Sequence, residues 1–307
     1  MTGESGVAEM FGLLADETRV DILRAVALAE HERTGRGAGA VRLRFSEIYD
    51  RVDAENTSRF SYHLGELTGT YLRKTEEGYE FTHAGERIVR FILSGNYEVL
   101  EGFGSEPVDG VCPFCGAEAL AASLSERHVH ISCGACERPV AGLPVTPAQT
   151  RDRDAEAVIR SVRRKSIRDY RQIRNGVCPT CSGWLAADVV DGSDGPLPEA
   201  DSFLVTSECR ECLRQYNAPL TYSVAYHPAS VAFHWDRGID VTTVPAWEFG
   251  ERLREGQWTS ERRSSGPGTY EVTLRAGDDA LRFRLDDTAA VTRTERVRRG
   301  RGGEPDN

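Results

Sequence analysis

The sequence predicts a mixed α+β protein in which short helices and short strands are combined with two four-cysteine modules. Apolar residues at helical spacing dominate the first hundred residues. Alternating polar and apolar residues, typical of strands, recur in the middle and in the C-terminal third. All eight cysteines fall in Cys-x-x-Cys pairs. A length of 307 residues predicts two or three domains.

The composition is acidic and nearly free of lysine. The net charge is -10, and only Lys74 and Lys165 are lysines. This composition is typical of proteins adapted to high salt, although GC-rich coding DNA would produce the same bias, and it bears on solubility rather than on fold. There is no run of about 18 apolar residues, which predicts no membrane span, and the first ten residues lack the features of an export signal. We therefore expect a cytoplasmic protein with no membrane partner.

The N-terminal segment VAEMFGLLADETRVDILRAVALAEHE predicts two helices separated at Ala15-Asp16. Asp16 suits the N-cap position of the second helix. The helical stripe that we expect to be buried consists of Ile22, Leu23 and Val26. After a Gly-rich loop, TGRGAGA, the segment VRLRF predicts a short strand, and SEIYDRV predicts a helix capped by Ser46.

The next segments predict a helix, a hairpin and a closing helix. In TSRFSYHLGELTGT, Phe60, Leu64 and Leu67 share one face and are expected to point inward. YLRKTEEGYEFTH predicts two strands joined by a turn, and AGERIVRFILSG predicts the last helix. This order of elements is that of a winged helix-turn-helix.

Three segments carry a resemblance to ArsR-like archaeal transcriptional regulators. LLADETRVDILRAV resembles their opening helix pair, SRFSYHLGEL their recognition helix, and YLRKTEEGYEFTHAG their wing. The resemblance covers about residues 7 to 95 and implies a regulator whose recognition helix enters the major groove of DNA. SEIYDRV lacks the cysteines that metal-sensing members carry at that place, whereas the chain as a whole resembles larger regulators that append zinc ribbons.

The face of the recognition helix opposite Phe60 is polar, and the wing adds two cations. Short hydroxyls and an arginine suit base edges and phosphates. The candidate DNA-binding residues are Thr57, Ser58, Arg59, Ser61, Tyr62, His63, Arg73 and Lys74, with His63 at the edge of the face. Basic residues only narrowly outnumber acidic ones here, which predicts a shallow salt dependence of DNA binding. A polar helix face is also compatible with a protein-binding module.

The last helix of this segment carries more apolar residues than one packing surface needs. They are Ile88, Val89, Phe91, Ile92 and Leu93. The helix is either packed within its own chain or is part of a homodimer seam, as in similar regulators. We expect a homodimer, because two-fold proteins suit palindromic half-sites.

The cysteines form two sets, C-x2-C-x17-C-x2-C and C-x2-C-x27-C-x2-C. The extra length of the second set lies in an acidic, Gly/Pro-rich segment, Asp188 to Asp201, which predicts a loop. Four thiolates suit tetrahedral zinc, so the sequence predicts two structural Zn2+ sites. Their ligands are Cys112, Cys115, Cys133 and Cys136 in the first site, and Cys178, Cys181, Cys209 and Cys212 in the second. Redox or regulatory thiols and an iron–sulfur cluster are the alternatives, and His128 and His130 are interpreted as strand residues.

The segment from Val158 to Gly176 contains seven basic residues and one acidic residue, Asp169. It predicts one helix whose arginines either pair with acidic neighbours or form a second nucleic-acid contact.

The C-terminal third predicts a mixture of strands and helices. LTYSVAY predicts a strand, and ASVAFHWDRG and VPAWEFGERLREG predict helices. TYEVTLRAGDDALRFRLDD predicts a hairpin, to which TAAVTRTERVRR adds a strand. The aromatic residues of this region are expected to lie mostly in a core, with a ligand pocket as the alternative.

The predicted organisation has five parts. They are a winged helix-turn-helix DNA-binding domain (1–105), a first zinc ribbon (106–148), a basic linker helix (149–175), a second zinc ribbon merged with a C-terminal α+β domain (176–298), and a disordered tail (299–307). No catalytic triad, phosphate loop or H-E-x-x-H motif is present, so no enzymatic activity is predicted.

The predicted function is that of a transcriptional regulator that binds double-stranded DNA as a homodimer. Its zinc ribbons would be structural, and its C-terminal domain would receive a protein partner or a small effector. The first alternative is a zinc-dependent protein–protein or RNA-interaction module that does not read DNA sequence. The second is a thiol or metal switch, which exposed cysteines with lowered pKa values would favour.

Overall fold

Helices and antiparallel strands alternate along the chain, which confirms the predicted α+β class. The computed structural model describes residues 4–33, 41–192, 203–263 and 268–298. The chain divides into two units, Met1–Val99 and Leu100–Asn307. The first unit ends before the predicted boundary at residue 105, because the strand that begins at Phe103 belongs to a sheet of the second unit. Among the described residues, no helix is long and apolar enough to cross a membrane.

The first unit contains helices and a two-stranded hairpin. Its elements are α1 (Glu4–Gly12), a 3-10 turn (Leu13–Ala15), α2 (Glu17–Arg33), α3 (Phe45–Tyr49), α4 (Thr57–Leu67), β1 (Leu72–Lys74), β2 (Tyr79–Phe81) and α5 (His83–Leu93). The predicted break before α2 is confirmed. Asp16 caps α2, because its carboxylate accepts the backbone N–H of Arg19 at 3.2 Å.

The region before α3 differs from its prediction. The expected strand VRLRF is reduced to one bridge between Leu43 and Tyr79. The helix begins at Phe45, so Ser46 is not its N-cap. The Glu47 carboxylate instead accepts the backbone N–H of Arg44 at 2.7 Å, and this reach-back from the third helical position satisfies an N–H that would otherwise lack a partner.

The core of the first unit combines the two predicted apolar faces. It contains Ile22, Leu23 and Val26 from α2 and Phe60, Leu64 and Leu67 from α4, as predicted. Phe60 packs edge-on against Phe45 and Tyr49 at ring-centroid distances of 5.0 and 5.1 Å. α5 lies close to the chain before β1, since a Cβ on Gly85 would lie 1.9 Å from the Tyr71 carbonyl oxygen. Only glycine permits this approach.

The second unit contains three antiparallel sheets within the described residues, β3-β4-β5-β6, β7-β8-β9 and β10-β11-β12-β13. The strands are β3 (Phe103–Pro107), β4 (Leu120–Ser125), β5 (His128–Cys133), β6 (Pro139–Pro144), β7 (Leu185–Asp191), β8 (Phe203–Cys209), β9 (Gln215–Pro219), β10 (Trp258–Arg262), β11 (Tyr270–Ala276), β12 (Asp279–Leu285) and β13 (Val291–Arg298). The helices are α6 (Pro147–Thr150), α7 (Ala155–Arg174), α8 (Pro228–Trp235) and α9 (Gly250–Arg254), with 3-10 helices at Leu220–Val224, Val241–Thr243 and Ala246–Phe249.

The predicted basic helix is confirmed as α7, and it joins two cores. Asp154 caps it, accepting the backbone N–H of Ala157 at 2.8 Å. Val158 and Val162 pack into the core of the first sheet. Ile167 belongs to the larger core built on the other two sheets. Consequently α7 fixes the first cysteine module to the C-terminal part of the same unit.

The C-terminal part confirms the hairpin, its added strand and the helix that begins at Pro228, but two predictions there are wrong. LTYSVAY is not a strand, because the chain turns into a 3-10 helix after Pro219 and buries Leu220, Tyr222 and Val224. β10 forms the edge of the last sheet, where no strand was predicted.

The acidic loop predicted from Asp188 to Asp201 begins later than expected, since Asp188 to Asp191 lie in β7. Its remainder from 193, the TGRGAGA loop and the predicted disordered tail (299–307) lie outside the described residues.

Candidate metal centres and candidate nucleic-acid interface

The first four-cysteine module brings together two turns, one between β3 and β4 and one after β5. In each turn a backbone N–H donates to the carbonyl of the first cysteine. Gly116 donates to Cys112 at 3.0 Å, and Glu137 donates to Cys133 at 2.8 Å. These hydrogen bonds close each turn, so that both of its cysteine side chains point towards the centre of the quartet. The Sγ atoms of Cys112 and Cys136 lie 3.7 Å apart, and those of Cys115 and Cys133 lie 3.6 Å apart.

The second four-cysteine module repeats this geometry. Ser182 donates to the Cys178 carbonyl, and Leu213 donates to the Cys209 carbonyl, both at 2.9 Å. The Sγ–Sγ distance between Cys178 and Cys212 is 3.7 Å, and that between Cys181 and Cys209 is 3.5 Å. The two modules are therefore a structural repeat, although ten more residues separate the cysteine pairs of the second.

Both quartets have the geometry of a four-thiolate metal site. Within each, all four sulfurs lie within 4.8 Å of one another. A tetrahedral ion with metal–sulfur bonds of about 2.3 Å places its ligands roughly 3.8 Å apart, whereas a disulfide requires about 2.05 Å. Each quartet could thus hold one metal ion, as predicted. His128 and His130 lie on β5 outside the quartets, as interpreted from the sequence.

Burial divides each quartet in the same way. The first cysteine of every pair is buried, whereas Cys115 and Cys181 are exposed and Cys136 and Cys212 are partly buried. The sites are therefore closed towards the protein and reachable from solvent on one side. The buried cysteines are enclosed by neighbouring residues, whereas Cys115 and Cys181 are accessible to oxidants in solution.

The thiols of each quartet differ in acidity. Burial opposes ionisation of Cys178, but the Tyr216 hydroxyl and the backbone N–H groups of Cys181 and Thr180 stabilise the thiolate and lower its pKa to about 6. Burial likewise opposes ionisation of Cys133, but backbone N–H groups lower its pKa to about 7. The backbone N–H of Arg138 favours ionisation of Cys136, but burial and the neighbouring thiols together raise its pKa to about 12. A divalent cation would offset the repulsion between neighbouring thiolates and allow all four sulfurs to ionise.

The predicted polar face of α4 is exposed. Thr57, Ser58, Arg59, Ser61 and Tyr62 all face solvent. Asn56 caps the helix, accepting the backbone N–H of Arg59 at 2.9 Å, so the hydroxyl residues occupy its first turns. The hairpin β1–β2 follows, with Arg73 and Lys74 exposed at its edge.

His63 is a correction to the predicted interface, because only 5% of it is exposed. Its Nδ1 lies 3.4 Å from both the Arg19 Nε and the Asp16 carboxylate. Position 63 lies three residues after Phe60, on the side of α4 that packs against the start of α2. His63 therefore joins α4 to α2 and is not available for a contact with DNA.

Two of the predicted cations are held by carboxylates. Arg59 pairs with Glu55 at 2.7 Å. Arg73 donates to Glu80, a residue of β2 that is 4% exposed and also accepts from Arg42 at 3.1 Å. The hydrogen bond from Arg73 is the main reason why the pKa of Glu80 is lowered. Sequence reasoning missed Glu80. Its strand neighbours Tyr79 and Phe81 pack against the core, whereas Glu80 lies opposite Arg73 in the hairpin and is paired with both Arg42 and Arg73.

The arginines of α7 pair only in part. Arg163 bonds to Glu248 at 2.6 Å, and Arg160, Lys165 and Arg168 pair with carboxylates of α7 itself. No carboxylate partner exists for Arg164, Arg171 or Arg174 among the residues that the structure describes. The pairing interpretation is thus confirmed for part of the helix, and the nucleic-acid contact stays a prediction.

The aromatic residues of the C-terminal region are mostly core residues, as expected. Trp247 and Trp258 are buried, as is His234, whereas Trp235 is exposed. Burial lowers the pKa of His234 to about 4, and its Nδ1 lies 2.8 Å from the Ser230 carbonyl oxygen.

Comparison with known proteins yields two family matches. Residues 7–92 match a family described as Domain of unknown function (DUF7347). Residues 109–291 match one described as Domain of unknown function (DUF7351), which covers both cysteine modules and α7. No curated protein and no solved structure matches the chain. Because the second match spans more than half of the residues, the chain belongs to the family described as Domain of unknown function (DUF7351).

Proposed function

We propose that the protein is a DNA-binding transcriptional regulator whose first unit is a winged helix-turn-helix. In this proposal α4 is the recognition helix in the major groove, and β1–β2 is the wing. One observation carries the proposal. α4 buries its apolar residues in the core and presents the five polar residues from Thr57 to Tyr62 to solvent, with a hairpin beside it.

The proposed contacts follow from the chemistry of this face. Arg59 has the planar fork that can bind guanine or a phosphate, and it would exchange its exposed partner Glu55 for DNA. Thr57, Ser58 and Ser61 can donate to or accept from base edges. Lys74 is an exposed wing cation whose Nζ lies 5.8 Å from the Tyr79 ring centroid, in a position to contact phosphate.

Zn2+ is the proposed ion of both cysteine modules. Four-thiolate sites with Cys-x-x-Cys turns suit structural zinc, and all four positions are filled by protein sulfur. The modules would then stabilise the second unit, while the first unit reads DNA. Metal analysis of the purified protein tests this, with two zinc equivalents as the expected result.

A homodimer is proposed for the first unit. Apolar side chains are exposed on α1 (Val7, Phe11), on α2 (Leu28), on α5 (Phe91) and in the turn after α5 (Tyr97). Phe91→Asp should convert the dimer to a monomer in light-scattering measurements, whereas Tyr62→Ala should leave the mass unchanged. A wild-type protein that is monomeric at high concentration would contradict this part.

The DNA proposal is tested by selecting bound fragments from a genomic DNA library and measuring affinity for the enriched duplex by fluorescence anisotropy. Arg59→Gln should weaken binding by about 5- to 150-fold, the effect of losing one base-reading arginine. Arg87→Gln, an exposed arginine on α5, is the matched control and should have little effect. If no duplex is enriched, or if Arg59→Gln binds as the wild type does, the first unit is better explained as a protein- or RNA-interaction module.

A further inference from the structure

The two cysteine modules differ at the two solvent-facing positions that their turns create. Hydrogen bonds establish the correspondence. Cys112 donates its backbone N–H to the Ala117 carbonyl at 3.0 Å, and Cys178 donates to the Gly183 carbonyl at 2.8 Å. The next residue is Glu118 in the first module and Trp184 in the second. By the same comparison, Glu137 in the first module corresponds to Leu213 in the second.

The second module therefore exposes large apolar groups where the first exposes carboxylates. Trp184 is 77% exposed and Leu213 is 73% exposed. Glu118 and Glu137 are also exposed, so the turns do not require an apolar side chain at these positions. The two large apolar side chains are therefore exposed at positions where the fold also accepts carboxylates, which makes them candidates for contact with a ligand. We call Trp184 and Leu213 the apolar tips.

A line of arginines on α7 leads towards the apolar tips. Its members are Arg160, Arg164, Arg168, Arg171 and Arg174, and all five are exposed. Their spacing of four, four, three and three residues places them on one face of the helix, opposite the buried Val158 and Val162. At 1.5 Å per residue this arginine stripe is about 21 Å long.

The backbone places the end of the arginine stripe beside Trp184. The chain leaves α7 at Arg174 and pairs Val177 with Trp184 in an antiparallel bridge. Leu185 donates its backbone N–H to the Gly176 carbonyl at 2.9 Å. Arg174 thus lies only a few residues from the strand pair that carries the indole.

We propose that the arginine stripe and the apolar tips together form a binding site for single-stranded nucleic acid. Arg164, Arg171 and Arg174 have no carboxylate partner within the described residues and would contact the phosphates. Trp184 would stack on an unpaired base, and Leu213 would pack against a base or a sugar. This site lies entirely in the second unit and stands independently of the role proposed for α4.

Charge and shape decide the type of ligand. Phosphate complements the most basic stretch of a chain whose net charge is -10. A duplex keeps its bases stacked inside, whereas an isolated exposed ring can stack only on a base that is unpaired. Stacking on an aromatic ring tolerates any base, so the site would have little sequence preference.

The test uses the full-length, metal-loaded protein and a labelled 20-nucleotide oligothymidine, with affinity measured by fluorescence anisotropy. Trp184→Ala should weaken binding by about 5- to 150-fold, because one base would lose its stacking partner. Trp184→Phe retains a ring and should retain most of the affinity. Trp235→Ala removes the other exposed tryptophan of the described residues, which is 65% exposed, and should leave the affinity unchanged.

The phosphate contacts are tested by salt dependence. The triple variant Arg164→Gln, Arg171→Gln, Arg174→Gln should reduce the magnitude of the slope of log affinity against log salt by about 2, which corresponds to three single-strand phosphate contacts. Arg293→Gln, an exposed arginine on β13, is the control and should leave the slope unchanged. In a Trp235→Phe background, the oligonucleotide should also quench the emission of Trp184, because the other two tryptophans are buried.

Several outcomes would overturn the proposal. They are no binding of the oligonucleotide in dilute buffer, equal affinities of Trp184→Ala and wild type, or an equal loss in Trp235→Ala. A change of molar mass in Trp184→Ala without a change in oligonucleotide affinity would identify the apolar tips as a protein interface and would also overturn it. Arg59→Gln should leave single-strand binding unchanged, which separates this site from the proposed recognition helix.

Discussion

Arg163 on α7 and Glu248 on the 3-10 helix Ala246–Phe249 form an ion pair with an Nη1–Oε1 distance of 2.6 Å. The guanidinium also donates to the Thr243 carbonyl at 3.3 Å. Only 15% of the Glu248 side chain is exposed. Burial raises the pKa of Glu248, Arg163 acts in the opposite direction, and Asp109 adds to the increase. This pair joins the helix that spans both cores to the C-terminal part of the unit.

We expect Arg163→Gln to destabilise the protein by about 1–3 kcal/mol at pH 7, because it leaves a buried carboxylate without its cation. A carboxyl group with a raised folded-state pKa contributes most to stability below its unfolded-state pKa and loses that contribution as pH rises through the folded-state pKa. The variant should therefore be closer to the wild type at pH 4.5 than at pH 7. Urea unfolding at both pH values measures this difference.

The matched control for this prediction is Arg160→Gln on the same helix. Its partner Glu156 is 81% exposed, and exposed pairs contribute at most about 0.5 kcal/mol. Equal losses in the two variants, or a larger loss for Arg163→Gln at low pH, would contradict the prediction.

Loss of one cysteine should remove one metal ion and leave the other. Cys133→Ser should lose the first site, and Cys209→Ser the second, because a serine hydroxyl does not replace a thiolate. Metal binding contributes on the order of 10 kcal/mol in small four-ligand modules, so thermal unfolding should shift strongly or lose cooperativity. Mass spectrometry of the metal content should give one equivalent for each variant and two for the wild type.

His130→Ala is the control for the cysteine variants, since His130 lies on β5 between the two turns of the first module but outside its quartet. It should retain two metal equivalents. Loss of metal in this variant would mean that the ligand set includes an imidazole.

Acid should destabilise the second unit through His234. Its folded-state pKa is lowered from 6.5 to about 4, mainly by burial. The unfolded state therefore binds more protons between these values, so stability is complete above pH 6.5 and falls as pH decreases towards 4. The full effect is on the order of 3 kcal/mol. His234→Gln should flatten the plot of unfolding free energy against pH in this range.

His130→Gln is the control, because His130 is exposed. The comparison of slopes, rather than of absolute stabilities, isolates the histidine from the acid release of metal, which affects all variants alike. The same slope in His234→Gln and wild type would show that another group controls the acid response.

Binding of duplex DNA should depend only weakly on salt. Arg59 and Arg73 are paired with carboxylates, so about three phosphates or fewer would be neutralised and the slope should have a magnitude below about 3. Glu80→Gln should release Arg73 and steepen the slope by about 0.9 for the added phosphate contact. Anisotropy titrations from dilute to molar KCl measure both slopes.

Glu77→Gln is the control for Glu80→Gln. Within the described part of the chain, Glu77 pairs with Arg42 alone, and Arg42 retains Glu80 as a partner. An unchanged slope in Glu80→Gln would mean that Arg73 does not reach DNA.

Most of the candidate metal centres could be predicted from local sequence. A Cys-x-x-Cys turn is a short-range structure, and its hydrogen bonds recur in all four turns. The apolar faces of α2 and α4 were also predictable, because helical periodicity assigns inward positions wherever the helix packs. The strand prediction at Leu220 to Tyr226 was wrong because the apolar residues there are buried by several neighbouring elements, and alternation alone does not distinguish this from a strand.

The sequence by itself determined which residues form the two quartets, which side of α4 is polar, and where the basic helix lies. Each follows from spacing within a few turns of chain. Only the tertiary structure decided that His63 is buried against α2 and that Glu80 holds Arg73. It also decided that Trp184 and Leu213 are exposed whereas Trp247 and Trp258 are buried. These outcomes depend on contacts between residues far apart in the chain, where burial and charge pairing are set by the neighbours that the fold supplies.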